Sequence, residues 1–422
     1  MPEEVKALAR LATLDLSNNN LTGTIPSFTF ELLESLHLGM NEFSGSFPDS
    51  FSDLSSLTSL DLSGNQLGST LPTTINALLK LESLLVGAND FTGTIPFQIQ
   101  SLSNLRELNA TANKFKGFID FIENLPQLEV LDISFNKFGG TIPEAIGDLG
   151  RLEVLVFSNN DFQGSLPTIF SDLRSLQILA GDSNFFRGTF PWSSFAVTNQ
   201  LIQISMSDNI LNGELPLDLT RFSTLEVLNL KRNKLQGSIP NSIGGLRNLK
   251  YLQLSLNRFT GKLPASLGLL TSITALDVSA NDLSSTIPPI LGSLRSLQTL
   301  ELDSNDLFGQ VPIELAGLEN LGKTKLYTIR KSRDPTRQIL ILLSLPHHRE
   351  TRSSNQSFGG RYRIFVLNGI AADHICRLQG RPTPSKLLML FSVFGMICPC
   401  HGFVQAMRRY RLMLQFLSEK PL

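Results

Sequence analysis

Residues 225–240 read LEVLNLKRNKLQGSIP. In this stretch Leu225, Leu228 and Leu230 lead to Asn233, and Leu235, Gly237, Ile239 and Pro240 follow. The same frame returns thirteen times between Leu11 and Pro312. Its asparagines are Asn19, Asn41, Asn65, Asn89, Asn113, Asn136, Asn160, Asn184, Asn209, Asn233, Asn257, Asn281 and Asn305. They number the repeats 1 to 13. Their spacing is 24 residues, apart from 22 at the first step, 23 between Asn113 and Asn136, and 25 between Asn184 and Asn209.

A period near 24 carrying L-x-x-L-x-L-x-x-N is the signature of leucine-rich repeats. The expected fold is a right-handed repeat solenoid with a parallel sheet on its concave face and short 3-10 or irregular segments on its convex face. Alternation at Leu228-Asn229-Leu230 is strand periodicity, with the leucines inward and Asn229 outward. No single turn can bury its leucines, so the turns must stack. At about 4.8 Å per strand, thirteen turns make a sheet on the order of 60 Å long. Where the chain leaves the strand its backbone groups need partners. An asparagine side chain both donates and accepts, so the ladder is expected to satisfy its own turn and the next one.

The end of the frame, G-x-I-P, narrows the type. Glycine holds the Gly237 position in eleven repeats, with Ser69 and Ser285 as the exceptions. An apolar residue and proline follow in twelve, and only repeat 5 reads Ile119-Asp120 instead. That substitution, beside the 23-residue spacing, predicts a local irregularity. Proline fixes φ and lacks a donor, which suits an edge leading to the convex side. The wording LDLSNNNLTGTIP at Leu14–Pro26 resembles the plant-type leucine-rich repeats of receptor-like kinases and receptor-like proteins. That resemblance implies a non-catalytic recognition module of a plant cell-surface receptor, acting in signalling or defence. It also implies a peptide or protein ligand, a possible coreceptor and membrane association. Two alternatives stay open: a serine/threonine receptor kinase, or a secreted inhibitor of cell-wall-degrading enzymes.

The overall charge of −1 conceals two compositions. Residues 1–322 hold 19 basic and 33 acidic residues, whereas residues 323–422 hold 17 and 4. All three cysteines and four of the five histidines lie in the second part. Residues 1–10 are expected to be the remnant of an upstream repeat, because Pro2, Val5, Leu8 and Leu11 keep the offsets of Pro48, Phe51, Leu54 and Leu57. They lack the apolar run of a signal peptide. Residues 11–322 carry the thirteen repeats without an inserted domain. Residues 323–422 are expected to form a disordered, basic, non-repeat tail, or to come from a retained intron or shifted frame.

Nothing in the tail adds chemistry to this expectation. Leu387–Met407 has the length of a membrane span but contains Pro399, His401 and Gln405, which are costly in hydrocarbon. Cys398-Pro399-Cys400-His401 lacks the spacing of a structural zinc site, even with Cys376 upstream. No metal, cofactor or nucleic acid is expected. The kinase signatures G-x-G-x-x-G, H-R-D and D-F-G are absent from the sequence. In the repeats no catalytic dyad stands out, and His37 has no evident partner. Sequons at Asn20, Asn109 and Asn355 are weak glycosylation signals, with Asn109 on the outward side of its strand.

Outward strand residues are the informative ones, since the core does not dictate them. Where the strand reads L-D-L-S, as at Asp61 and Asp277, a solvated face is expected. Leu85, Val130, Phe135, Val154, Val156, Ile178 and Ala180 depart from it as an apolar run through repeats 4 to 8. Val227, Lys231, Arg232, Tyr251 and Leu256 follow in repeats 10 and 11. Apolar and aromatic residues rimmed by charge predict a contact surface for an extended peptide, with Lys231 or Arg232 pairing a carboxylate.

Overall fold

A computed structural model of the chain describes residues 10–27, 30–195 and 200–326, together with the backbone of Ile339–Ile341 and Phe365–Leu367. The last two segments pair as antiparallel strands. Among the described residues the dominant element is a parallel sheet of fourteen strands taken in strict chain order, from Thr13–Asp15 to Lys323–Lys325. Each strand is three residues long, and in all but the last a central leucine or isoleucine faces the core, as at Leu228 and Ile204. Register never slips: Leu228 stands between Ile204 and Leu252. The solenoid expected from the leucine period is therefore the fold.

The structure carries that sheet one strand past the boundary expected at residue 322. Lys323–Lys325 pairs with Thr299–Glu301, and Thr324 and Leu326 are buried where the frame calls for leucines. Backbone pairing has outlasted the side-chain pattern there. Apart from those two paired segments the remainder of the tail, with Asn355, Cys376, Cys398 and the 387–407 stretch, lies outside the described residues, as do the first nine residues.

Inside the turns runs a spine of phenylalanines two residues beyond the ladder asparagines. Phe91, Phe115 and Phe138 are fully buried, with successive ring centroids 5.9 and 6.2 Å apart. Phe162 and Phe186 continue it at 6.1 Å. Offset stacks at this spacing add to the gain from burial itself.

The ladder asparagines work as expected in kind and differently in direction. Asn233 Nδ2 donates to its own turn, at Leu230 O (3.2 Å) and Lys231 O (3.3 Å). It also donates to Met206 O in the preceding turn at 2.9 Å, while its Oδ1 accepts from Leu211 N–H at 2.9 Å. The partner turn is thus the preceding one, not the next. The next turn is reached by backbone amides instead, as in Arg232 N–H to Ser255 O at 2.8 Å. The Asn19 side chain is exposed and, among the described residues, bonds within its own turn, to Leu16 O and Ser17 O.

On the convex side each proline is extended and opens a 3-10 helix of five residues in the regular repeats, such as Asn241–Gly245 after Pro240 (φ −72°, ψ 150°). Ile243 N–H bonds to Pro240 O, Leu246 to Ile243 and Leu249 to Leu246. Three residues per 3-10 turn account for the apolar offsets of +3, +6 and +9 after each proline. Repeat 5 is irregular as expected: Ile119 takes φ −103° and ψ 26°, and its 3-10 segment shrinks to Asp120–Ile122. The concave register across it, Glu107 to Val130, is untouched.

A second set of short parallel strands, which the leucine pattern did not announce, follows the asparagines along the flank. They form a three-stranded, a six-stranded and another three-stranded ribbon. Their glycines explain the G that eleven of the thirteen frames carry: Gly237 has φ +77°, and a Cβ there would sit 2.6 Å from the Glu214 carboxyl carbon. Only glycine enters that region without steric cost.

Candidate ligand-binding face

The residue before each ladder asparagine has a left-handed backbone in all thirteen repeats, whatever its type, including Met40, Phe135, Arg232 and Leu256. The tight turn from strand to flank imposes it. Phe135 (φ 54°) is therefore not a strand residue: it stands on the turn at the rim of the face, 59% exposed. A bulky residue held at positive φ is uncommon.

On the strands themselves two outward columns run from repeat to repeat. In the first, Val130, Val154 and Ile178 are direct neighbours; Gln203 comes next, then Val227 and Tyr251. In the second, Leu85 is cut off from Val156 and Ala180 by Asn109 and Asp132. The apolar run expected over repeats 4 to 8 is thus shorter. One contiguous patch joins the half-buried Val130, Val154, Val156 and Ile178 in repeats 6 to 8, with Ala180 buried beside them, and Leu85 stands apart. Tyr251 is 46% exposed beyond Gln203.

The L-D-L-S aspartates are not simply solvated. Asp277 is buried and accepts from Ser279 N–H (3.0 Å), Ser279 Oγ (2.6 Å) and Ser255 Oγ (2.6 Å). Asp61 grips Ser63 in the same way. At Asp15 the amide and then the hydroxyl of Ser17 hold the carboxyl below its ordinary pKa, with a smaller pull from His37. His37 in turn lies in register between Asp15 and Asp61, neighbours that its isolation in sequence did not suggest. In repeat 8 Asp182 takes this role across turns, accepting from Ser205 Oγ at 2.7 Å and from Ser207 N and Oγ at 2.6 Å. Polar residues of the second column are therefore already hydrogen-bonded, and the apolar patch of repeats 7 and 8 interrupts that column.

Charges border it. Arg232, one of the two cations expected to meet a ligand carboxylate, already pairs with Asp208 at 3.0 Å. Lys231 is half-buried and makes no ion pair among the described residues. Sequence reading passed over an acidic edge just before the strands, whose signal is L-E-V-L at 128–131, 152–155 and 225–228. There Glu129 pairs with Arg106 at 2.8 Å, Glu153 accepts from Gln177 at 3.0 Å, and Glu226 pairs with Lys250 at 2.7 Å. Asn109 is half-buried on its strand, with Oδ1 taken by Thr111 N–H at 3.1 Å, and Asn20 is exposed on a turn. Among the described residues no cluster of side chains could hold a metal ion, and no helix is long and apolar enough to cross a membrane.

Family models agree with this geometry. A "Leucine-rich repeat region" model matches residues 203–346, and further leucine-rich repeat models match 8–67, 127–149 and 151–173. The chain is a leucine-rich repeat protein. No curated protein sequence matches it. Among solved structures it is similar to the Arabidopsis receptor kinase HAESA ectodomain bound to an N-terminally extended IDA peptide hormone (33% identity, TM-score 0.72), covering 77% of this chain and 55% of that one. PEPR1 with AtPEP1 gives 31% identity and a TM-score of 0.70, over 78% of this chain and 50% of that one. HAESA with IDA and the co-receptor SERK1 gives 28% identity and a TM-score of 0.62, over 78% and 64%. The likeness is to plant-type leucine-rich repeat receptor ectodomains, of whose length this chain spans about half to two thirds.

Proposed function

We propose that this chain is a recognition module of a plant cell-surface receptor that binds an extended peptide along its concave face. The observation that carries the reading is the patch of Val130, Val154, Val156 and Ile178, contiguous across three strands where only the core's inward residues need be apolar. From Val130 in repeat 6 to Lys231 in repeat 10 is four strand steps, or about 19 Å. An extended peptide covers that distance in about six residues. Apolar side chains would anchor on repeats 6 to 8 beside Phe135, and a carboxylate would meet Lys231, whose charge has no ion-pair partner among the described residues. Arg232 would have to leave Asp208 first. Peptides are what the similar ectodomains hold in their solved complexes, and one of those also holds a co-receptor. A second protein partner is part of the proposal on that ground.

The test uses the full chain against a library of synthetic peptides with free and amidated C-termini. Val154→Asp with Ile178→Asp should weaken selected binders by about tenfold or more, as burying an unpaired charge costs well over 1.4 kcal/mol. Lys231→Ala should weaken the free-acid peptides and leave the amides unchanged. Binders that tolerate all three substitutions would overturn the proposal.

A further inference from the structure

The convex side breaks its own rule in one place. In repeat 9 the first 3-10 turn after Pro216 does not form: Leu219 N–H bonds instead to Ser242 Oγ in the following repeat at 3.1 Å, and the helix starts late, at Thr220–Phe222. Repeat 8, with its 25-residue spacing, opens its own helix on Trp192–Phe195. Between these two repeats the convex layer parts into an open groove of about 840 Å³. That volume falls within the ~300–1,000 Å³ usual for small-molecule sites.

The groove has an aromatic side and a polar rim. Trp192, the only tryptophan of the chain, packs against Phe190 (centroids 4.4 Å) and edge-on against Phe222 (5.9 Å), and remains half-buried. The rim holds Asn212, Asp218 and Arg221. Asp218 Oδ1 is engaged by Thr220 N–H (2.9 Å) and Oγ1 (2.6 Å). Those bonds, the hydroxyl's first, hold its carboxyl below the ordinary pKa. Its Oδ2, the Asn212 amide, the Arg221 guanidinium and the indole N–H make no hydrogen bond or ion pair within the described residues.

A wholly apolar ligand would strip water from these groups without replacing it. An anion would meet Asp218, and a cation Arg221. A neutral ring with one apolar C–H face and hydroxyls around its edge satisfies both halves, because each hydroxyl donates and accepts. We infer that the convex groove between repeats 8 and 9 is a saccharide-binding site, with the Trp192 indole as the stacking surface and Asn212, Asp218 and Arg221 as hydroxyl partners. The site is separate from the concave face and does not rest on the peptide reading.

Because Trp192 is the sole tryptophan, its emission reports this groove alone. The full chain is titrated with cellohexaose, xylohexaose and chitohexaose, with sorbitol as a polyol that has no ring. At least one hexamer should give a saturable emission change at millimolar concentration or below, and sorbitol none. Asp218→Asn and Arg221→Ala should each weaken that response about tenfold, the loss of a charge-assisted hydrogen bond, while the thermal midpoint stays in place. Val154→Asp on the concave face should leave it unchanged. Trp192→Phe removes the reporter, so ligand-observed NMR follows the sugar there and should show weaker binding. No saturable response to any hexamer by either method, or equal binding by the Asp218 and Arg221 variants, would overturn the assignment.

Discussion

The two faces of this solenoid treat the same irregularities in opposite ways. Repeats of 23 and 25 residues interrupt the period, yet the concave strands pair through both without a slip, Glu107 with Val130 and Ile178 with Gln203. The described convex segments vary instead: the 3-10 helix shrinks to three residues in repeat 5 and to four in repeat 8. A one-residue slip on the strands would turn every leucine outward, whereas a lost 3-10 turn exposes little. Register is therefore held from within, by the spine and the ladder, and the outside is free to vary.

If that is so, the largest loss follows from a cut in the interior. Phe115 is fully buried between Phe91 and Phe138. Phe115→Ala should cost about 3–5 kcal/mol, the range for a large aromatic leaving a cavity. Phe97, on the convex face of the neighbouring turn and 61% exposed, should cost less than about 0.5 kcal/mol on the same change. Urea midpoints of the two variants measure this. Similar losses would mean that the convex layer shares in holding the register.

The ladder comes next in size. Asn233→Ala removes four hydrogen bonds and strands Leu211 N–H inside the stack, while Met206 O keeps its bond from Asn209 Nδ2 at 3.3 Å. The expected loss is about 1–3 kcal/mol. Asn19→Ala removes two bonds from an exposed turn and should cost below about 1 kcal/mol. Because the side chain reaches back to the preceding turn, amide exchange in the Asn233 variant should quicken at Leu211 rather than at the next repeat. Faster exchange on the downstream side would reverse the direction of the ladder.

Much of this could be read from the sequence because a repeat states each core position thirteen times. The leucine columns, the asparagines, the proline-led 3-10 turns and the fault at Ile119-Asp120 were all legible that way. What repetition does not mark was lost. The left-handed residue before each asparagine has no preferred type, because backbone bonds such as Arg232 N–H to Ser255 O impose its conformation. Without that knowledge Phe135 reads as a strand residue. Leu85 and Val156 read as neighbours in sequence order, although Asn109 and Asp132 lie between them in space. Lys323–Lys325 pairs without a leucine in it, so no side-chain pattern could announce it. The convex groove arises from an amide that finds Ser242 instead of Pro216, a choice of partners invisible along the chain.

The two repeats that lack the flank glycine give the finest test, because the same substitution should have opposite signs in them. Ser69 takes φ +71°, and its exposed hydroxyl bonds only to Thr70 O at 3.4 Å. Glycine removes a strain of about 1–2 kcal/mol there, against a loss of about 0.5–1 kcal/mol in chain entropy. Ser69→Gly should therefore stabilise the fold by about 0.5–1 kcal/mol. Ser285 stands at the equivalent place with no positive φ. Its buried Oγ accepts from Leu263 N–H at 3.1 Å and donates to Thr286 O at 2.9 Å. Ser285→Gly leaves the Leu263 amide without a partner and relieves nothing, so it should destabilise by about 1 kcal/mol. A thermal midpoint raised by the first change and lowered by the second would show that the flank, unlike the concave sheet, solves one frame position in two ways. Shifts of the same sign would mean that it solves it in one.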